Sequence, residues 1–413
     1  MRVGRRRVRP EWAGAGRTAR KGLNWAYAGA VGQNTAGGEP VRWPVRAGFR
    51  QSRGMAESGA ASALPAHHGV PGMAEPGERP SRARVGTAAP PGPEMDFVTG
   101  RLARPAPPRA GMPSARVAVI GAGAVGGYFA ARAAAGGAEV WLCVRRPFDQ
   151  LVVVSTGADG GDVEAEVPAE VVTDPAKLPP YGFDWVLLAT KAHQIPAVAP
   201  WLTATVGPGT SVAVLQNGVR HAERVAAFAH PDQVLPAVVY INAEAERPGV
   251  VRHRAGGVLQ VPDVLLAERL AERVLTAGEV RLTEDFATAA WTKLCVNSAA
   301  NTLTTLTGRR LEVLRRDDVA QLALAIMAEA VAVARADGAE VPEGLPEFTV
   351  RRLRGQPPGA GTSMLYDRLA GRRLEHEALI GAVVRIGAEY GVPTPTCVTV
   401  LPLLAAISDG AET

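Results

Sequence analysis

A short apolar strand that runs straight into glycines, then a helix, then a second strand, leaves a chain few folds to choose from. Residues 116–146 read RVAVIGAGAVGGYFAARAAAGGAEVWLCVRR. Val117–Ile120 predicts the first strand, and Gly121-Ala122-Gly123-Ala124-Val125-Gly126 follows at once. The Ala-rich run to about Ala135 predicts a helix that Gly136-Gly137 ends, and Glu139–Val144 predicts the next strand. A lone G-x-G-x-x-G is a weak signal; framed by strand, helix and strand within about 30 residues it is a strong one. The first glycine permits the tight turn, the second lets backbone approach a pyrophosphate, and the third lets helix and strand pack closely. The helix N-terminus adds unpaired N–H groups and a partial positive charge. The plain alternative is a tight turn with no ligand. The expected fold is α/β, beginning with a Rossmann-type dinucleotide-binding domain in which Gly121, Ala122, Gly123, Ala124, Val125 and Gly126 hold the cofactor.

The end of the second strand discriminates between cofactors. An NAD site usually places Asp or Glu there for the ribose 2′-hydroxyl. This chain reads CVRRP, and the guanidinium fork of Arg145 suits a 2′-phosphate, which favours NADPH/NADP+, with Asp149 nearby as the opposing residue. Arg146 reads more readily as solvated loop. Further on, LVVVSTGADGGDVEAEVPAEVVTDP reads as strands around a glycine turn, and Trp185–Ala189 as a buried parallel strand ending in Thr190-Lys191. TSVAVLQNGVRH is another, ending in Gln216-Asn217-Gly218. Open α/β sheets bind ligands beyond the carboxyl ends of their strands, which makes Lys191 and Asn217 candidates; Asn217-Gly218 is also a common plain turn. VLPAVVYINAEAERPGVVRHRAGGVLQV is expected to supply further strands that close the same sheet, before a helix over Val264–Leu275.

Composition matters chiefly for what precedes the glycine turn. The net charge of +5 is unevenly spread: residues 1–112 hold 18 of the 45 Lys and Arg and 7 of the 40 Asp and Glu, so they carry +11 and the remainder −6. The basic balance therefore gives no reason to expect a nucleic-acid partner. Residues 1–112 are rich in Arg, Gly, Pro and Ala and show no sustained periodicity, so they are expected to be a disordered leader. An over-long start, with Met112 as the working one, is the preferred explanation; a transit peptide and a basic binding arm are the alternatives. Cys143, Cys295 and Cys397 lie far apart, with no metal-ligand spacing, and fit a reducing, cytoplasmic setting. No apolar run of about 18 residues is seen, so no membrane span is expected.

From about Glu284 the pattern turns helical, over 284–306, 311–337, 345–355, 374–390 and 396–408. In WTKLCVNSAANTLTTLTG, Lys293, Asn297, Asn301 and Thr304 share one helix face, while Cys295, Val296, Ala299, Leu303 and Leu306 fall opposite. The stripe is either the wet side of an amphipathic helix or the wall of a cleft. Asn is a poor helix former, and two in mid-helix favour the second reading.

VIGAGAVGGYFAAR, TKAHQ, LQNGV, WTKLCVNSAANTLTTL and SMLYDRLAGRRLEHEALIG…GVPTPT occur in that order, and from about residue 114 to 410 the chain resembles the ketopantoate reductase (2-dehydropantoate 2-reductase) family. The resemblance implies a Rossmann domain over 113–282 and an all-α, 6-phosphogluconate-dehydrogenase-like domain over 283–413. It implies NADPH-dependent reduction of a small 2-oxo acid, 2-dehydropantoate, to (R)-pantoate for pantothenate and coenzyme A synthesis, by a monomer or homodimer. Carried over by position, Lys293 matches the family's proton-donating lysine and Glu375 its catalytic glutamate. Asn217, Asn297, Asn301 and Ser363 match substrate-binding residues, Lys191 and Asn217 cofactor-side residues, and Arg145 the 2′-phosphate arginine. Ile380 stands where the family often has Asn, and His376 and Glu377 where it has Ile-Asp. These three departures are expected beside the substrate, with His376 exposed. The rival functions are reduction of another 2-oxo acid and, in a different class, NADPH-binding regulation without turnover.

Overall fold

The structure is a computed structural model that describes residues 98–103, 113–157, 160–180 and 182–411. In chain order the first part holds β1 (Arg101–Leu102), β2 (Arg116–Ile120), α1 (Ala124–Ala135), β3 (Glu139–Cys143), β4 (Leu151–Thr156), β5 (Asp162–Val167), β6 (Glu170–Val172), β7 (Trp185–Leu188), α2 (Ile195–Thr205) and β8 (Ser211–Val214). It continues through α3 (His221–Val225), β9 (Val234–Pro236), β10 (Val238–Arg247), β11 (Val250–Pro262), α4 (Leu265–Arg273) and β12 (Glu279–Thr283). The second part is helical: α5 (Phe286–Thr307), α6 (Asp317–Ala336), α7 (Leu345–Arg354), α8 (Ser363–Leu369), α9 (Ile380–Tyr390) and α10 (Pro395–Asp409).

The strands form two sheets rather than the single one read from the sequence. The first is all parallel, in the order β6-β3-β2-β7-β8-β9. Its central strands are Val117–Ile120 and Val186–Leu188, fully buried runs of the kind a sheet covered on both faces requires. From β2 the chain goes to β3 on one side and to β7 on the other, so the strand order reverses at β2 and a crevice opens beyond the carboxyl ends of β2 and β7. The second sheet runs β1-β12-β11-β4-β5, with β10 paired to β11. Helix α1 lies between the two sheets. A Cβ on Gly127 would come within 2.7 Å of the Val251 side chain of β11, so the doubled glycine is what lets the second sheet close over α1.

Two expectations fail here for the same reason, pairing between distant segments. β10 and β11 do not close the first sheet; β11 runs parallel to β4, with Val250 beside Val152. And part of the leader is ordered: Arg101–Leu102 pairs antiparallel with Leu282 and Arg281 of β12, and Val98 and Ala103 are buried. The rest of the disordered-leader expectation lies outside the described residues.

Helix α5 starts at Asp285, whose side chain accepts from the Thr288 N–H at 2.9 Å, and ends at Gly308 with φ +66°. Helix α6 is long and apolar enough by composition to cross a membrane, although charged residues interrupt its apolar sequence. Its apolar residues Ala323, Ile326, Met327 and Ala330 instead form the centre of the helical core, against Cys295 and Ala299 of α5.

Candidate active site

The glycine turn occupies the crevice. At Gly121 φ is +95°, and a Cβ there would approach the Thr190 methyl to 2.7 Å. At Gly126 a Cβ would lie 1.9 Å from the Gly121 carbonyl oxygen and 2.9 Å from the Ala189 Cβ, so α1 and β7 meet too closely for any side chain. Gly123 is the opposite case: it is exposed, and nothing lies within 4 Å of a Cβ placed on it. Gly123 is also the N-cap of α1, no side chain caps that end, and no acid lies in the first turn. A tight inner side and an open outer side lined by free N–H groups fit a dinucleotide pyrophosphate. Arg145 and Arg146 follow β3 on exposed loop, and neither forms an ion pair or hydrogen bond with a described residue.

Beyond β7, Lys191 reaches across to the helical part. Its Nζ donates to Asp367 Oδ2 at 2.8 Å and to Glu375 Oε2 at 3.0 Å. Glu375 also accepts from the Ala192 N–H at 3.3 Å and from Asn217 Nδ2 at 3.3 Å. Asp367 takes a second cation, Arg372 Nε, at 3.0 Å. Burial alone would push the Lys191 ammonium down, but Glu375 and Asp367 outweigh it and hold it above its ordinary value. The same pairing holds the Glu375 carboxyl below the usual carboxylate range, although burial opposes it. Glu375 is thus bound to Lys191 and Asn217, not directly to Lys293. The Asn217 turn is fixed from behind by Arg224, which donates to the Asn217 and Val219 carbonyls at 2.7 and 3.0 Å.

Lys293 lies on the facing helix. Its Nζ donates to the Val239 carbonyl and stands 5.1 Å from the centre of the Tyr240 ring. Burial pushes its ammonium down to about 8, against the raising influence of the Glu375 charge. Asn217, Val239, Lys293 and Asn297 line one hollow between the strand ends and α5. The stripe does not continue evenly. Asn301, one turn on, is 3% exposed, and its Oδ1 accepts from the Met364 N–H at 3.0 Å and from Ser363 Oγ at 3.3 Å. Its carbonyl is committed to the first turn of α8, and Thr304 below it bonds Thr362 at 2.7 Å. Ser363 is exposed at the start of α8.

Two expectations about the departures are overturned. Ile380 is fully buried in the helical core, not beside the hollow, because it opens α9 on the face that packs inward. His376 is 5% exposed, because the 3-10 turn His376–Ala378 folds it inward and leaves Glu377 outside. The sequence reading also missed three residues. Asp367 was accessible to it, an acid one helical turn from Ser363. Tyr240 and Arg224 carry no local signal, since only the fold brings them to Lys293 and Asn217.

A parallel sheet whose order reverses at a glycine turn, with a helical layer that brings a half-buried lysine to the strand ends of the same sheet, is the build of a two-part oxidoreductase using a nicotinamide dinucleotide. Comparison narrows the class. The family described as Ketopantoate reductase PanE/ApbA matches residues 117–265, and its C-terminal counterpart matches 285–408. The 2-dehydropantoate 2-reductase of Mycobacterium tuberculosis is 41% identical over 295 residues, covering 71% of this chain and 98% of that protein. That of Caulobacter vibrioides is 38% identical over 292 residues, covering 70% and 98%. Among solved structures, the 2-dehydropantoate 2-reductase of Methylococcus capsulatus superposes with a TM-score of 0.62 at 30% identity, covering 72% of this chain and 98% of that one. A D-mandelate dehydrogenase, at 23% identity and a TM-score of 0.62, shares 71% of this chain and 98% of its own as fold alone. The chain belongs to the ketopantoate reductase family.

Proposed function

We propose that the chain reduces the keto group of 2-dehydropantoate to give (R)-pantoate, with NADPH as reductant, as a step in pantothenate and coenzyme A synthesis. The observation that carries this reading is Lys293, a half-buried lysine at the wall of a hollow shared with Asn217 and Asn297, its ammonium pushed down to about 8 by desolvation. The reduced nicotinamide, when bound, supplies a hydride. What the chain must supply is a place for the oxyanion and a proton, and an ammonium does both. Lys293 Nζ meets the carbonyl oxygen as charge develops and passes its proton to it; Val239 and Tyr240 hold the ammonium until then. Asn217 and Asn297 grip hydroxyl and carbonyl groups without adding charge, and Glu375 orients Asn217 while remaining ionised. Ser363 binds the substrate carboxylate from the start of α8, and Asn301, which accepts from Ser363 Oγ and the Met364 N–H, supports that helix. The uncapped N-terminus of α1 takes the pyrophosphate, Lys191 the cofactor side, and the exposed Arg145 the 2′-phosphate. Division of the chain near residue 283, with the cofactor mainly on the first part and proton transfer mainly on the second, belongs to the same reading. All three cysteines are free and buried, which supports a reducing compartment.

The test is NADPH oxidation by the full chain with 2-dehydropantoate and a panel of other 2-oxo acids. Turnover of 2-dehydropantoate well above the rest supports the assignment. A different preferred acid replaces the substrate and leaves the chemistry, and tight NADPH binding with no turnover would sink it.

A further inference from the structure

Asn217 and Lys293 must keep a fixed separation if they are to act on one substrate, yet they belong to different layers: the turn after β8 and helix α5. We propose that Asp337 is a positioning residue for the reaction, a carboxylate clamp that sets the Asn217 turn against the Lys293 helix; this rests on the substrate and proton-transfer roles given above to Asn217 and Lys293.

Asp337 ends α6, where the carbonyl dipoles disfavour a negative charge. Three donors from three elements offset this. Arg220 Nη2 donates to Oδ1 at 2.7 Å, Tyr390 Oη to Oδ1 at 3.1 Å, and Trp291 Nε1 to Oδ2 at 2.9 Å. Arg220 follows Asn217 by three residues and Trp291 precedes Lys293 by two, so one carboxylate holds both sides of the hollow. Arg220 carries a second local cost. Its φ is +55°, and among the described residues it is the one non-glycine in the left-handed region. It holds that conformation while bonded to Asp337 and, through Nη1, to Glu389 at 2.5 Å. Two locally unfavourable choices that satisfy each other across a site mark a place where geometry outweighs local preference. An ordinary surface ion pair does not account for the arrangement, because the Trp291 side chain is buried and would be left without an acceptor.

The test is a double-mutant cycle in the full chain, read well below the melting temperature. Asp337→Ala should lower kcat/KM for the 2-oxo acid at least tenfold while leaving the NADPH Kd within twofold, since nothing in the cluster touches the glycine turn. In an Asn217→Ala background the same change should cost less than threefold, because the group it positions is gone. Equal losses in both backgrounds, or a folded variant with unchanged kcat/KM, would overturn the proposal. Should Asp337→Ala not fold, Arg220→Gly removes the guanidinium and tolerates the backbone angle, and the same cycle applies. Hydrogen exchange over residues 216–224 gives a readout independent of turnover. Faster exchange in Asp337→Ala is expected, and unchanged protection overturns the clamp even if the wild-type chain reduces no 2-oxo acid, an outcome that would count against the proposed function alone.

Discussion

At the scale of single residues, the arrangement around Lys293 makes a signed prediction. With its ammonium pushed down to about 8, Lys293 is charged and able to donate below that pH and loses its proton above it. The rate of ketone reduction should therefore be level through neutral pH and fall about tenfold per pH unit above roughly 8, the limiting slope for a single ionisation. A flat profile to pH 10 would remove Lys293 as the donor. Lys293→Ala should lower kcat by roughly 10² to 10⁴, the usual contribution of a general acid, with NADPH affinity nearly unchanged. The cofactor side has a separate test in Arg145. Because Arg145 is exposed and has no partner among the described residues, its replacement with Ala tests what it gives a ligand. The KM for NADPH should rise about tenfold or more, while that for NADH stays within twofold, a contrast that charge-assisted phosphate binding predicts and a solvated loop does not. The stripe 293–297–301 was legible in the sequence as one helix face, but its partition was not. Lys293 and Asn297 line the hollow, while the Asn301 carbonyl is taken by Ser363 and Met364 from an element 62 residues away.

The scale of elements separates what is local from what is not. The strand-turn-helix-strand unit could be read directly, because everything it requires lies within one run: three glycines at fixed spacing, an apolar strand and an Ala-rich helix. The same locality gives paired predictions for the turn. Gly126→Ala places a methyl 1.9 Å from the Gly121 carbonyl oxygen and must push α1 away from β7, so both melting temperature and NADPH binding should fall sharply. Gly123→Ala meets nothing within 4 Å in the protein. It should keep the wild-type melting temperature to within about 2 °C, a shift of the size expected from well under 1 kcal/mol, while still weakening NADPH. Equal NADPH affinity in Gly123→Ala would place the pyrophosphate elsewhere. The second sheet, by contrast, was not legible. β4 and β5 have strand-like sequences, but nothing near Val152 specifies that its neighbour is Val250, and the role of Gly127 in admitting β11 appears only once that pairing exists. Ile380 and His376 were misread in the same way, since their burial is decided by the helices around them.

For the molecule as a whole, the boundary of the fold is the point that composition obscured. An Arg-, Pro- and Gly-rich leader gives no periodicity to read, and a two-residue strand is too short to add one, yet β1 completes the edge of the second sheet. Thr99 supplies two acceptors, its carbonyl and Oγ1, to Gln260 Nε2, both at 3.0 Å, and Gln260 is fully buried. Arg101 adds an ion pair with Asp263 and another with Glu268, both at 2.8 Å, but at 53% exposure the arginine is screened and these contribute little. The gain from the segment therefore comes mainly from burying Val98 and Ala103 and from giving the buried Gln260 Nε2 its acceptors, together about 1–2 kcal/mol once water is allowed to replace the lost acceptors. A chain beginning at residue 113 should melt about 2–6 °C below one beginning at residue 96, by the scaling for a domain of this size. Its kcat/KM should be unchanged, because β1 pairs with β12 at the edge of the second sheet, whereas the one strand of that sheet that reaches the hollow, β10, lies on the opposite side of β11. Equal melting temperatures would show that β1 adds no stability. A loss of kcat/KM at full folding would show that the edge of the second sheet is coupled to the site, across β11 to β10 or through α1 to the cofactor turn, and β1 would then have to be counted among the elements that shape the hollow.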